Sequence, residues 1–288
     1  MVRGKTMTLP QTKQIAIECR KLCYSINNQP LLNDVDCAFS AGAIHVLLGK
    51  NGAGKTTLLH LLAKEIKPSR GEVFWREKLL AEYSFTDLAT QRAVLPQRQV
   101  LAFSISVQQL IALGVEAGQH FRNNEQKRLI IHQLLMLCDL DELADRDMLS
   151  LSGGEQQRAQ IARVLAQIWP VPASVDFKKT AQKILQPLHF DGRWLLLDEW
   201  TTGLDLQHQV HFVTLFKQLA AQGLGIIMSV HDINLAWQLA DFAYLLDNGA
   251  LVASGEKTEV MSKPNLQQLF AIELNEVDTE KGKLFFCG

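Results

Sequence analysis

The chain has 288 residues, 47% of them hydrophobic and 20% charged, the composition of an ordinary globular protein long enough to bury a sizeable core. Lys and Arg number 29 against 30 Asp and Glu, a formal charge of −1, and that balance argues against a nucleic-acid binder that relies on counterion release. Five scattered cysteines (Cys19, Cys23, Cys37, Cys138 and Cys287) point to reduced thiols in the cytoplasm rather than a disulfide frame, and no second Cys/His pair at zinc-like spacing accompanies Cys19 and Cys23.

The opening residues Met1–Met7 are basic but have no apolar h-region, so no signal peptide is expected. No uncharged apolar stretch approaches the ~20 residues of a spanning helix. Residues 1–13 are polar, contain Pro10 and are expected to form a flexible tail. Ile15–Arg20 begins as a strand, and Pro30–Val35 leads into a second around Asp36–Phe39. After a turn at Ser40–Gly42, the apolar run Ala43–Leu48 predicts a buried strand. Thr57–Ile66 carries Leu58, Leu59, Leu62 and Ile66 at helical spacing.

Between that strand and helix lies Gly49-Lys50-Asn51-Gly52-Ala53-Gly54-Lys55-Thr56. A strand, the pattern G-x-x-x-x-G-K-[ST] and a helix, in that order, are the context of a phosphate-binding loop. The glycines let the backbone curl so that successive N–H groups point inward without Cβ clashes, and the helix start adds free N–H groups and a positive dipole end. Lys55 supplies a point charge to the β- and γ-phosphates, and the Thr56 hydroxyl is a ligand for Mg²⁺.

Lys67–Gly71 stops the helix, Glu72–Trp75 predicts a short strand, and Val94–Gln97 ends a further apolar run. From about Val107 to Asp147 the pattern turns helical: Leu110, Ile111 and Leu113 mark one helix, and Leu129, Ile130, Leu134, Leu135 and Leu137 another, with a loop expected over Gly114–Gln119. In Leu151-Ser152-Gly153-Gly154-Glu155-Gln156-Gln157-Arg158, Ser152 and Glu155 form a capping box ahead of an apolar face. The double glycine leaves backbone N–H groups uncovered at a positive helix end. Arg193–Leu197 predicts a buried strand that ends in Asp198 and Glu199, and Gly225–Val230 another that ends in His231, with Asp232 capping the next helix. Carboxyl ends of parallel strands are where α/β sheets bind ligands. Asp247-Asn248-Gly249 reads as a hairpin turn.

The phosphate loop, Gln97, the LSGGEQQR stretch, the strand with Asp198-Glu199, and His231, in that order, resemble the ATP-binding subunits of ABC transporters over roughly residues 15 to 275. The resemblance implies an α/β fold: a P-loop NTPase core with a mixed sheet, a small antiparallel β subdomain and an inserted α-helical subdomain. It also implies ATP and Mg²⁺ as bound groups. Phosphates would be held by Gly49, Lys50, Asn51, Gly52, Ala53, Gly54, Lys55, Thr56 and Thr57, with Thr56, Gln97 and Asp198 serving the metal. Glu199 would orient or deprotonate the attacking water, Gln97 would sense the metal and contact the permease, and His231 would contact the γ-phosphate. Ser152, Gly153 and Gly154 would bind ATP held by a second copy, and Asp205 belongs to the same nucleotide site. Counting back from Asp34-Val35 puts Ile26 at the usual place of the adenine-stacking aromatic, with Tyr24 two residues earlier on the same strand face.

Three positions depart from the family pattern. Trp200 stands where proline is usual after the Asp-Glu pair, Lys50 replaces the usual proline of the phosphate loop, and Thr202-Gly203-Leu204 replaces the commoner Ser-Ala-Leu before Asp205. The interval from Arg158 to Asp198 is about twice the family's usual one, so Pro170–Gly192 reads as an insertion, a loop with at most one helix near Phe177–Leu185. The insertion, Ala162–Trp169 and Leu204–Gln209 most resemble the haem (hemin) importer ATPases, whose relatives serve iron-siderophore and vitamin B12 importers.

The expected organisation is a tail over 1–13, one ATPase domain over 14–275 with a helical subdomain over about 98–165 and the insertion over about 170–192, and a tail over 276–288. The expected function is ATP hydrolysis that energises haem import. It implies a homodimer of ATPase subunits on a transmembrane permease dimer, a periplasmic solute-binding protein acting indirectly, and no nucleic acid. Such a protein sits on the cytoplasmic face of the inner membrane, peripheral through the permease. Against a soluble ABC protein stands the lack of tandem cassettes or long coiled-coil arms. Against a GTPase stands the lack of an Asn-Lys-x-Asp motif, and intact Glu199 and His231 argue against a non-hydrolysing module. His208 and His211 read as polar surface residues rather than haem ligands.

Overall fold

The structure is a computed structural model that describes residues 15–97, 103–119, 121, 123–171, 188–190, 192–280 and 282–287. The expected tail over 1–13 and most of the insertion, including the helix near Phe177–Leu185, lie outside the described residues. In chain order the elements are β1 (Ile15–Ile26), β2 (Gln29–Ser40), β3 (Ile44–Leu48), α1 (Lys55–Leu62), β4 (Arg70–Trp75), β5 (Lys78–Leu79), α2 (Phe85–Ala89) and β6 (Arg92–Leu95). Then come α3 (Val107–Gly118), α4 (Asn124–Leu137), α5 (Gly153–Gln167), β7 (Trp194–Leu197), α6 (Leu206–Ala221), β8 (Gly225–Ser229) and α7 (Ile233–Leu239). The chain closes with β9 (Phe242–Asp247), β10 (Ala250–Glu256), α8 (Lys257–Val260), α9 (Lys263–Phe270), β11 (Leu274–Thr279) and β12 (Gly282–Cys287). These fall into two compact units, one running to Tyr83 and resuming at Gly225, the other spanning Ser84–Leu224.

In the first unit, β2-β1-β4-β5 form an antiparallel sheet. β1 and β2 are joined by Asn27-Asn28, both with positive φ (49° and 64°), the two-residue turn whose twist matches that of its strands. β3 pairs in parallel with both β8 and β9. All five residues of β3 are buried, as expected of a parallel strand covered on both faces. Its one polar residue, His45, is hydrogen-bonded: Nδ1 lies 3.1 Å from the Tyr244 hydroxyl and Nε2 2.8 Å from the Ser40 carbonyl. The predicted hairpin turn joins β9 to β10 with Asn248 at φ 46° and Gly249 at φ 78°. α1 stops earlier than its apolar spacing suggests, because Lys64 turns left-handed at φ 58° and donates to the carbonyls of Ala81 (2.8 Å) and Tyr83 (2.5 Å).

The C-terminal stretch expected as a tail from 276 is instead a hairpin. β11 and β12 pair antiparallel from Leu274↔Cys287 to Thr279↔Gly282. Phe285 is only 4% exposed and packs edge-on against Trp237, with ring centroids 5.7 Å apart. Asn234 of α7 donates to the Phe285 carbonyl at 2.9 Å and accepts the Phe285 N–H at 2.7 Å. A polar sequence with two phenylalanines carries no signal for that docking until α7 supplies the pocket.

The second unit holds the parallel pair β6–β7, in register from Arg92↔Trp194 to Leu95↔Leu197, together with helices α3, α4 and α5. Capping boxes start three of its helices: Ser84 with Asp87, Ser106 with Gln109 and Ser152 with Glu155. Phe190 returns the chain after the insertion. It is fully buried against Trp169 (centroids 5.6 Å apart), and its N–H donates to the Gln222 carbonyl at 2.9 Å.

The loop expected over Gly114–Gln119 is helical as far as Gly118, and Gln119 caps it in the left-handed region. Gly114 is there because α3 and α5 approach closely: a Cβ on it would run into the Arg163 carbonyl oxygen and sit 3.0 Å from the Ala166 Cβ. Helix propensity alone would make Gly114→Ala a gain of about 1 kcal/mol. Because the neighbour is backbone, we expect a loss of about 2 kcal/mol instead, read as a lower urea midpoint at unchanged slope.

Candidate nucleotide site

In the first unit, the phosphate loop leaves the carboxyl end of β3 and closes into the first turn of α1. Gly52 (φ 78°) and Gly54 (φ 102°) occupy the region that favours glycine, and Gly54 is also the N-cap of α1. A Cβ on Gly49 would strike the Leu246 carbonyl oxygen, and one on Gly54 would lie 2.7 Å from the Leu32 side chain and 2.9 Å from the Leu31 carbonyl. The loop is therefore packed backbone against backbone on β2 and on the end of β9. The Gly249 N–H donates to the Ala53 carbonyl at 3.2 Å and ties the β9–β10 turn to it.

Lys55 is 5% exposed, and its ammonium donates to the carbonyls of Gly49 (2.8 Å) and Lys50 (3.0 Å). A buried ammonium on a loop of inward main-chain N–H groups makes a strongly anion-seeking site. Lys50 is exposed, so its departure from the family's proline places no side chain in the core. Tyr24 is half-buried and pairs across the sheet with Leu32, the residue that packs on Gly54, whereas Ile26 is 49% exposed near the turn. His231 lies just beyond β8 on the surface, and Asp232 caps α7 by accepting the Leu235 N–H at 2.8 Å.

In the second unit, Asp198 and Glu199 follow β7. Asp198 is 3% exposed, and its N–H donates to the Leu95 carbonyl at 2.9 Å. Glu199 sits at φ 47°, a left-handed backbone that a non-glycine residue holds only where its surroundings over-determine it. The turn after it does so: the Thr202 N–H and hydroxyl both donate to the Glu199 carbonyl, at 3.2 Å and 3.0 Å. The Gln97 amide donates to Glu199 Oε2 at 2.6 Å, so two predicted site residues are brought together across 102 positions of sequence.

The Ser152–Glu155 capping box holds as expected. The Ser152 N–H donates to Glu155 Oε2 at 2.7 Å and Ser152 Oγ accepts the Glu155 N–H at 3.3 Å. Hydrogen bonds to the carboxyl from the Ser152 side chain first, and then from its backbone N–H, hold Glu155 below its ordinary range. Among the described residues nothing lies within 4 Å of a Cβ built on Gly153, but one on Gly154 would lie 2.8 Å from the Gly203 carbonyl oxygen. Gly203, at φ 79°, in turn lies against the Gly153 and Gly154 backbone. That contact explains the departure at Gly203: a side chain at the alanine position of the family pattern would need the same positive φ and the same space. Sequence spacing gave no sign of it.

The other departure, Trp200, is fully buried. It meets the rings of Phe216 and Phe212 edge-on at 5.1 Å and 6.2 Å, while its carbonyl accepts the Gln157 amide of α5 at 2.8 Å. Asp205 caps α6 by accepting the His208 N–H at 2.9 Å. That bond and the one from the His208 ring keep its carboxyl below the ordinary range.

Thr56 in the first unit carries a hydroxyl oxygen, and Gln97 and Asp198 in the second carry an amide and a carboxylate oxygen; each by its own chemistry is a hard oxygen donor of the kind Mg²⁺ takes rather than a softer metal.

A model of the ABC transporter family matches residues 32–171. Over 260 residues the chain is 36% identical to the hemin import ATP-binding protein HmuV of Escherichia coli O157:H7, spanning 90% of this chain and 93% of that relative. This chain belongs to the ABC transporter ATP-binding proteins. It is accordingly an ATP-binding ATPase of that family. HmuV of Ruegeria sp. (strain TM1040) is 34% identical over 260 residues, spanning 90% of this chain and 92% of the relative. The fold is shared with solved structures. A metal-chelate type ABC transporter in an inward-facing conformation matches at TM-score 0.71 and 24% identity, covering 95% of this chain and 97% of that one. An ATP-binding subunit of an ABC transporter matches at TM-score 0.72 and 22% identity, covering 89% and 98%.

Trp200→Pro, which restores the residue usual in the ABC family, should destabilise the protein by about 3 kcal/mol, because it empties a cavity beneath Phe212 and Phe216. Urea unfolding checks this, and an unchanged midpoint would show that the aromatic cluster does not support the loop.

Proposed function

We propose that the chain is the ATPase of a haem (hemin) importer, and that its ATP hydrolysis drives a separate transmembrane permease. The observation that carries this reading is identity above one third to a hemin import ATP-binding protein over nearly the full length of both chains. The phosphate loop, the Asp198-Glu199 pair and the LSGGEQQR stretch, all intact in one chain, support it further.

The roles follow from the chemistry of each group. N–H groups from Gly49 to Thr57 and the Lys55 ammonium bind the β- and γ-phosphates, and Tyr24 stacks on the adenine. Thr56, Gln97 and Asp198 would hold Mg²⁺, which when bound would neutralise charge on the phosphate oxygens. Glu199, oriented by the Gln97 amide and by its strained backbone, accepts a hydrogen bond from the attacking water and aims it. His231 contacts the γ-phosphate. Ser152, Gly153 and Gly154 serve ATP bound by a second copy, with Asp205 beside them, so ATP joins a homodimer and its hydrolysis releases it.

Residues 14–275 act as one ATPase domain in this reading. Among the described residues no helix is long and apolar enough to cross a membrane. As the ATPase of such an importer, the protein would sit at the cytoplasmic face of the inner membrane, held there through the permease. A periplasmic binding protein acts on it only at a distance, by biasing dimer closure.

Glu199→Gln should lower kcat for ATP hydrolysis about 100-fold or more while leaving ATP affinity within a few-fold, since the water is lost and the phosphate cradle is not. Near-parental turnover would remove Glu199 from its role.

Reconstituted with its permease and binding protein, the complex should hydrolyse ATP faster with haem-loaded binding protein than with the empty form. Stimulation by a ferric siderophore or cobalamin carrier and none by haem would sink the cargo assignment and leave the ATPase intact.

A further inference from the structure

The segment Gly203-Leu204-Asp205 is tied to α5 at both ends. At its start the backbone of Gly203 lies against Gly153 and Gly154. At its end, Asp205 is connected to the same helix by a chain of polar groups. Asp205 Oδ1 lies 2.8 Å from His208 Nδ1, and the other ring nitrogen, Nε2, lies 3.3 Å from Asp139 Oδ2. Asp139 follows the C-cap of α4 with its backbone at φ 55°. Arg158 of α5, its side chain 9% exposed, donates to Asp139 Oδ2 at 3.2 Å, to the Cys138 carbonyl at 3.2 Å and to the Asp139 carbonyl. Arg158 stands one helical turn beyond Gly154, on the same side of α5. A second histidine one turn along α6 makes a parallel tie, as His211 Nε2 donates to the Leu137 carbonyl at 2.7 Å.

We propose that His208 is a positioning residue for ATP hydrolysis, and that it sets Asp205 against the LSGGEQQR helix by bridging the carboxylates of Asp205 and Asp139. The inference rests on the reading of Asp205 and Ser152–Gly154 as parts of the nucleotide site. An imidazole has one nitrogen for each carboxylate, and with both protonated it donates to both. Arg158 fixes the far carboxylate by its side chain and by the two carbonyls it grips, so the bridge has a rigid end.

The Asp139 and Asp205 side chains are 71% and 64% exposed, whereas the His208 side chain between them is 20% exposed. Hydrogen bonds to carboxylates this exposed contribute little to folding stability, so losing them, as in Asp139→Ala, barely alters it. That loss would instead loosen Asp205 from the helix that presents Gly153 and Gly154, and orientation lost at a site is felt in turnover.

The test compares His208→Ala, Asp139→Ala, the double variant and His208→Arg in the full-length protein, by steady-state ATP hydrolysis and urea unfolding. His208→Ala should lower kcat about tenfold with KM for ATP within about twofold, since the phosphate loop is untouched. Asp139→Ala should match it, and the double variant should be no worse than either single one, because both remove the same bridge. His208→Arg, whose guanidinium can donate to both carboxylates, should recover at least about half of the lost rate. A kcat for His208→Ala within about twofold of the parent overturns the proposal. So do losses that multiply in the double variant, or losses that track the urea midpoint. If the parent shows no hydrolysis sensitive to Glu199→Gln, both the site reading and this inference fall. If that sensitivity is present and His208→Ala is unaffected, only the role of His208 falls.

Discussion

Main-chain N–H groups converge on a phosphate only if backbone is brought against backbone with no Cβ between, and much of this chain is arranged to meet that constraint. In the phosphate loop, Gly49 lies on the Leu246 carbonyl and Gly54 on Leu31 and Leu32. The turn at Gly249 adds a hydrogen bond to Ala53 from behind. A side chain at any of these points would push the loop off its support, and the curl that aims its donors would open. The same constraint recurs in the other unit, where Gly154 lies against Gly203. Next to that pairing, a Cβ placed on Gly153 would meet nothing within 4 Å among the described residues.

The carboxylates obey a different rule. Asp198 is buried at the end of β7, where a charge is held only if a compensating charge or donor accompanies it. Glu199 is carried in a left-handed backbone that the Thr202 bonds over-determine, and its carboxylate takes the Gln97 amide. Backbone strain at an exposed carboxylate, stabilised by the turn that follows it, is a sign of a side chain aimed rather than packed.

Two of the three family departures, Trp200 and Gly203, resolve into packing. Trp200 replaces a residue that would leave a void under Phe212 and Phe216, so an aromatic cluster supports the loop where a rigid ring is usual. Gly203 is required by its φ of 79° and by the backbone of Gly153 and Gly154. Phe190 closes the long insertion by burying itself on Trp169, so the chain re-enters the core at a fixed point before β7.

By itself, the sequence determined whatever depends on local spacing. The strand–loop–helix around Lys55, the box of Ser152 with Glu155, the buried strand before Asp198-Glu199 and the Asn248-Gly249 turn are each set by residues within a few positions of one another. Their periodicity and capping chemistry need no distant partner. Only the tertiary structure decided the features that depend on what lies opposite. Gly114 looked like a loop residue until α5 came within contact of it. The stretch after 276 looked like a tail until Trp237 and Asn234 gave Phe285 a pocket. The tie from Asp205 through His208 and Asp139 to Arg158 joins three separate elements. No spacing encodes it, because each residue there is an ordinary polar side chain until the fold places a partner within hydrogen-bonding reach.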